Sequence, residues 1–197
     1  MGIMTFIIIS AIMTVLNIAG VAWVMFHYLP QQARSFAERQ EVWHEIERTC
    51  KALISESTVQ RVLVLKLTNG GGEPVPGKTY YSTAMVGEVD IIYKHKPIHY
   101  DAIQIDNEYI AMVAKARVEK RVQMLVETMP YCILRTFYKS EGVQFSEAHY
   151  LCSTPDATYF MTFATFDEIH LQPSWGQILR CVNDVRRLLK KAYPNSK

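Results

Sequence analysis

Between Met1 and Gln32 the chain carries no aspartate, glutamate, lysine or arginine. An uncharged stretch of that length has no solvated face, so it does not read as the outer helix of a globular domain. A cleaved leader fits poorly as well. No lysine or arginine precedes the apolar run, and the run continues past the small residues Gly20-Val21-Ala22 through Trp23, Val24, Met25 and Phe26. Cysteine is sparse: Cys50, Cys132, Cys152 and Cys181 are too widely spaced for a zinc knuckle or a Cys-x-x-Cys redox pair. There is no Gly-x-Ser-x-Gly elbow for a nucleophilic serine. An excess of one charge is missing too. Against 21 Lys and Arg stand 19 Asp and Glu, a net charge of +2 with the basic residues scattered, which argues against a nucleic-acid partner. Repeats and low-complexity tracts are absent, and 49% hydrophobic with 20% charged residues is globular composition.

What the N-terminus does contain is a nearly continuous apolar run from Ile3 to Leu29. About 20 helical residues cross a bilayer core, so this run is long enough with allowance for tilt. Trp23 and Tyr28 suit the headgroup level, and Pro30 ends the run. Asn17 and Gly20 are of the types that help spans associate. The expectation is a single-pass protein of the inner (cytoplasmic) membrane, with the lipid bilayer as its first partner. Arg34 and Arg39 follow the span and nothing basic precedes it, which points the folded domain to the cytoplasm.

Beyond the span, residues 31–57 read as a connecting helix. Phe36, Trp43 and Cys50 recur every seven residues, with Ile46 and Leu53 in the offset positions. That seam serves either to pair two copies of the chain or to pack on its own domain. Residues 58–197 then read as one α/β domain. Arg61 to Thr68 is a β-branched and leucine-rich central strand before the Asn69-Gly70-Gly71-Gly72 turn, and Thr79 to Val89 is a second strand. A helix is expected over Asn107 to Glu127, on a stripe of Ile110, Val113, Val118, Val122 and Leu125 and closed by Pro130. Three strands follow, at Tyr131 to Tyr138, Ala148 to Ser153 and Thr158 to Phe166, and a last helix at Ser174 to Ala192. The predicted class is α+β, with a five-stranded antiparallel sheet packed by helices.

Chemistry-bearing residues are few. Asn69, Gly70, Gly71 and Gly72 can offer backbone N–H groups to an anion, although no helix opens after them as a dinucleotide site requires, and a structural turn is the plainer reading. Glu88, on an apolar strand, is either a buried functional carboxylate or a solvated one. His95, His99 and Asp101 share a loop, but Lys94 and Lys96 flank His95 and oppose a cation, so no metal is assigned. Asp167 and Glu168 read as solvated, and neither His149 nor His170 can be matched to a nucleophile from sequence. No catalytic residue and no cofactor are expected.

The element order over about residues 31–192, with the first strand after a long helix and a last helix returning beside it, resembles the GAF domain, a relative of PAS domains. The string Arg61 to Gly72, followed by Gly77, Ser82 and Glu88, resembles the strand-plus-HNGG pattern of bacterial and phage GAF-like proteins, many anchored by one helix. Thr68 stands here where that pattern has histidine. A second resemblance, through Tyr150-Leu151-Cys152-Ser153-Thr154-Pro155 and Cys181, is to the holins of T-even phages, and it implies a periplasmic domain with Cys152 and Cys181 joined in a disulfide. Three functional readings follow. The first is a non-enzymatic, membrane-anchored GAF-like module that binds a protein or ligand and forms a homo-oligomer through its helices. The second is a holin-like lysis-timing protein. The third is a membrane-attached hydrolase using the loop histidines.

Overall fold

A computed structural model describes residues 3–25, 29–69, 75, 77–93, 100–167 and 174–196, with side chains described within the first two stretches only at 13–25 and from 36 onward. The chain divides into two compact units, Met1–Glu41 and Val42–Lys197. The first holds helix α1, Ile3–Trp23, and the beginning of α2, Leu29–Glu56. Every described large apolar side chain of α1, from Met13 to Trp23, is exposed. No helix among the described residues is long and apolar enough to cross a membrane.

The second unit is built on six strands rather than the five expected: β1 Arg61–Thr68, β2 Tyr80–Val89, β3 Ile103–Ile105, β4 Arg121–Leu125, β5 Phe145–Ser153 and β6 Thr158–Thr165. Their order across the sheet is β3-β2-β1-β6-β5-β4, with every neighbouring pair antiparallel. β1 lies at the centre and is buried on both faces, which is why its sequence runs apolar without alternation. Leu63, Leu65 and Leu67 face one core, shared with α3 (Asn107–Glu119) and α4 (Ile133–Glu141). Val62 and Val64 face the other, shared with α2 and with α5 (Trp175–Ala192).

Two expected elements are corrected. The helix expected over Asn107 to Glu127 stops at Glu119, because Lys120 turns left-handed (φ 68°) and the chain re-enters the sheet as β4. Val118 and Leu125, placed on the helix stripe by the sequence, are exposed, whereas Val122 and Met124 are buried with the period of two that a strand gives. Tyr131 to Tyr138, expected as a strand, is largely α4. Its Leu134 and Tyr138 are buried four residues apart, and Gly142 (φ 75°) closes it in the left-handed conformation that glycine adopts without steric cost. Asp106 joins the starts of both helices. Its carboxylate accepts from Tyr109 N at 2.9 Å, capping α3, and from Ile133 N at 2.6 Å at the head of α4.

The expected pairing seam is divided. Ile46, Cys50 and Leu53 are buried in their own domain against α5 and the sheet, and Trp43 packs on Tyr159 at 6.0 Å between ring centroids. Phe36 lies in the other unit and is exposed. The heptad spacing therefore records burial inside one chain over most of its length.

Candidate functional site

Arg61 begins β1, and its position in the strand alternation turns it to the same face as Leu63 and Leu65, into the core beside α4. It is 1% exposed. Its guanidinium Nη1 donates to Oε2 of Glu141, the last residue of α4, which is equally buried. The guanidinium also lies over the Tyr138 ring at 5.4 Å and the Phe166 ring at 5.9 Å. Burial opposes the charge on Arg61, but the oxygens of Tyr100, Glu141 and Tyr138 outweigh it and hold the pKa above its ordinary value. The side chain is thus a fixed cation inside the core.

Around it lie polar atoms without partners. Arg61 Nε and Nη2, Glu141 Oε1 and the hydroxyl of Tyr100 are all buried and make no hydrogen bond. Buried polar groups are almost always paired, so several orphans in one place mark an unusual interior. The free Nε and Nη2 groups form one edge of the guanidinium, which matches a planar acceptor such as a carboxylate. Tyr138 is satisfied, with its hydroxyl 3.0 Å from Ser146 Oγ, which in turn donates to the Phe163 carbonyl at 3.1 Å. At the rim Tyr93 stacks near Phe166 at 4.7 Å and donates to Asp167 at 2.5 Å, and Gln60 Nε2 donates to the same carboxylate oxygen at 2.8 Å. Asp167 is exposed, as the sequence reading has it, and accepts both bonds at the rim.

Burial raises the pKa of Tyr100, Tyr109 and Tyr138 alike. Folded phenols that resist ionisation stabilise the fold fully below the unfolded value of about 10, and that contribution is lost as pH rises above it. Each such group costs up to ~1.4 kcal/mol per pH unit in that window. Alkaline titration followed by far-UV circular dichroism and phenolate absorbance should show these tyrosines ionising only together with cooperative unfolding. Ionisation in advance of unfolding would contradict their burial.

The residues singled out by sequence do not gather here. Glu88 sits opposite Val62 in the β1–β2 ladder, and a bulge between Val64 and Leu65 turns it to the α2 face. There its carboxylate is half-buried and lies 3.6 Å from Lys51 Nζ, an ion pair between strand and helix rather than an isolated carboxylate. Asn69 follows the other end of the same ladder, so the two proposed ligand residues lie far apart along β1. Gly70, Gly71, Gly72, His95, His99, Glu168 and His170 lie outside the described residues, and Asp101 is exposed. Gly72 to Thr79 does fit the Gly-x-x-x-x-Gly-Lys-Thr spacing of a phosphate-binding loop. Such a loop must open a helix, however, and Lys78 and Thr79 lead straight into β2. Gly77 takes φ 85° and its N–H donates to Asn107 Oδ1 at 3.2 Å, so this glycine serves the turn. Cys152 and Cys181 are not bonded to each other. All four cysteines are free and buried.

A second polar group lies on the opposite face of the sheet. Glu147 and His149, both buried on β5, contact each other through Oε1 and Nε2, and Gln123 on β4 donates to Glu147 Oε2 at 2.8 Å. His149 packs near Trp175 at 5.9 Å and edge-on to Phe163 at 5.5 Å, and Arg121 covers the Trp175 ring at 4.1 Å. This group is satisfied by its own partners. Sequence reasoning missed both clusters. The only signals were an arginine opening an apolar strand and the Glu-Ala-His alternation on β5, neither of which names its partner.

No family model and no curated protein matches the chain. Solved structures do. The phycoerythrobilin-bound GAF domain of a cyanobacterial phytochrome superposes with TM-score 0.55 at 10% identity, over 82% of this chain and 94% of that one. The GAF domain of a two-component sensor histidine kinase from Bacillus halodurans gives 0.51 at 10% identity, over 77% and 93%. The type II free methionine-R-sulfoxide reductase from Thermoplasma acidophilum also gives 0.51 at 10% identity, over 78% and 96%. At these identities the likeness establishes the fold, which is GAF-like. The reductase among the neighbours means that the fold alone does not decide between sensing and catalysis.

Proposed function

We propose that this chain is a non-enzymatic regulatory module held at a membrane by α1, with a GAF-like domain that recognises a small acceptor-bearing ligand at the Arg61 cluster. The observation that carries the ligand reading is the set of unpartnered donors: two guanidinium N–H groups and the Tyr100 hydroxyl, all buried on the sheet face covered by α3 and α4. A ligand carboxylate on the free edge of Arg61 would replace hydrogen bonds that the fold leaves unmade, each worth about 1–3 kcal/mol when a charged partner is involved. Resemblance to GAF domains of sensory proteins supports the same reading.

The anchor is supported by a different observation. Met13, Val15, Leu16, Ile18, Val21 and Trp23 are all exposed along α1, a continuous apolar surface that water does not tolerate and lipid does. Arg34 and Arg39 then favour a cytoplasmic domain. The holin-like and hydrolase readings gain no support from the described geometry.

The ligand reading is tested by thermal unfolding of the full chain in detergent micelles against a panel of small mono- and dicarboxylates. A ligand present at a hundredfold excess over its Kd should stabilise by about 2.7 kcal/mol. That gain should vanish in Arg61→Met while the variant still unfolds cooperatively. Equal stabilisation of both proteins would place the binding elsewhere.

A further inference from the structure

Cations from two helices gather at one end of the sheet, where β5 and β6 meet in the turn Thr154-Pro155-Asp156. On one face α3 closes at Lys120, whose ammonium lies 5.6 Å from the centroid of the Tyr150 ring. Arg117, Lys120, Tyr150 and Thr158 line a recess there of about 570 Å³, with no carboxylate among the described residues of its wall. On the other face Arg186 of α5 donates from Nε and Nη2 to the Tyr150 carbonyl, at 3.2 and 2.5 Å. Lys190 and Lys191 follow in the last turn of α5, and Tyr193 at its end stacks on Tyr159 of β6 at 5.5 Å between centroids. A cation at one helix end answers that helix's own dipole. Here two helices on opposite faces bring theirs to a single hairpin. The nearby carboxylates are already engaged, Glu119 with Lys115 at 4.0 Å and Asp184 with Arg187 at 2.9 Å. Lys120, Lys190 and Lys191 are exposed and in no ion pair among the described residues, and against them stands Asp156, exposed in the turn.

The chain enters the domain at this same end. Val42 opens the unit, and Trp43 packs on Tyr159. From Leu29, where the apolar run ends, to Val42 the chain reaches at most about 45 Å even fully extended. We infer that the cationic hairpin end is a docking surface for the anionic lipid headgroups of the membrane that holds α1. The inference rests on the anchor reading, which keeps a bilayer within reach of this end. Charge complementarity then selects the lipid. The cytoplasmic leaflet carries a negative surface potential, and each lysine close to it adds about a fivefold preference for the docked state. β1 runs from Arg61 to Leu67 beside Thr158, so docking leaves the Arg61 end of the sheet turned toward water.

The test uses the full chain in lipid nanodiscs, with a fluorophore on Pro155→Cys at the hairpin or on Ser55→Cys at the far end of α2, and a quencher on the lipid headgroups. All four native cysteines are buried, and the unsubstituted chain treated alike gives the blank. The hairpin probe should be quenched in discs containing phosphatidylglycerol and not in discs of phosphatidylcholine alone. Quenching should also be lost in about 0.5 M salt, where screening cuts the range of the field to about 4 Å. The Ser55 probe should stay unquenched throughout. Lys120→Gln, Lys190→Gln and Lys191→Gln together should move the docked-to-free ratio about a hundredfold toward free, at unchanged Tm. Equal quenching in anionic and neutral discs, or in the triple variant and its parent, would overturn the inference. If the triple substitution instead abolishes binding of a DNA oligonucleotide and leaves lipid quenching unchanged, the face belongs to nucleic acid. Retention by neutral discs reads the anchor separately. A chain that stays with neutral discs but shows no lipid-dependent quenching keeps its anchor and loses the docking surface. One that leaves neutral discs and is held by anionic discs only at low salt keeps the docking surface and loses the anchor, and one held by neither loses both.

Discussion

Glu141→Ala should destabilise the fold by about 3–5 kcal/mol, the usual cost of removing one partner from a buried ion pair. The physical reason is the stranded cation. Arg61 is 1% exposed and its environment favours the charged form, so without Glu141 it can neither lose its proton nor reach water. Two of its nitrogens already lack partners, and the substitution would free a third. For a unit of this size each kcal/mol lowers Tm by roughly 2–4 °C, so a fall of about 6–20 °C is expected by scanning calorimetry or circular dichroism. Replacing both partners with apolar residues, Arg61→Met with Glu141→Leu, should recover most of the loss, because a packed apolar pair avoids the desolvation that the ion pair incurs. A single Glu141→Ala variant with unchanged Tm would mean that the pair is not closed in the interior as described. If the double variant is as stable as wild type yet no longer responds to carboxylates, the pair is kept for recognition rather than for folding.

The second large effect concerns the anchor. Ile12→Arg combined with Leu16→Arg should move the chain from the carbonate-resistant membrane fraction to the soluble or aggregated fraction. Each arginine near the centre of a span costs about 2.5–3.5 kcal/mol to insert, so together they weigh about 5–7 kcal/mol against insertion, several powers of ten in the partition. Both positions fall near the middle of α1. A conservative pair, Ile12→Leu with Leu16→Ile, should leave the partition unchanged. The membrane reading is lost if the wild-type chain is itself recovered, uncleaved, in the soluble fraction.

How far the sequence could be read depended on whether an element's signal was local. β1, β2, β5, β6 and α5 fall close to where apolar runs, turns and the Ser174 boundary place them. β4 and α4 were exchanged in type because their signals are ambiguous at short range. Val122, Met124 and Val126 alternate within a stretch of which Val122 and Leu125 also satisfy a helical spacing, and only the left-handed turn at Lys120 decides between them. β3 has three residues and no periodicity to detect. It exists because Tyr80, Tyr81 and Ser82 offer it an open edge. The site was less legible still. Arg61 opens the expected strand, and Glu141 falls just beyond the segment that the sequence places in a strand, so nothing local to either names the other. They stand 80 positions apart in the chain, and only the closing of α4 over the sheet brings them together.

Composition and hydropathy by themselves determined that an uncharged apolar helix precedes one α+β domain, because those properties are sums over neighbouring residues and need no knowledge of the fold. Tertiary structure alone decided which face each strand presents, that Glu88 answers Lys51, and that Arg61 is buried. Each of these is a pairing across the sheet or between helices. A chain specifies such pairings only through its packing, where the bulge after Val64 or the left-handed turn at Lys120 changes which side chains can touch.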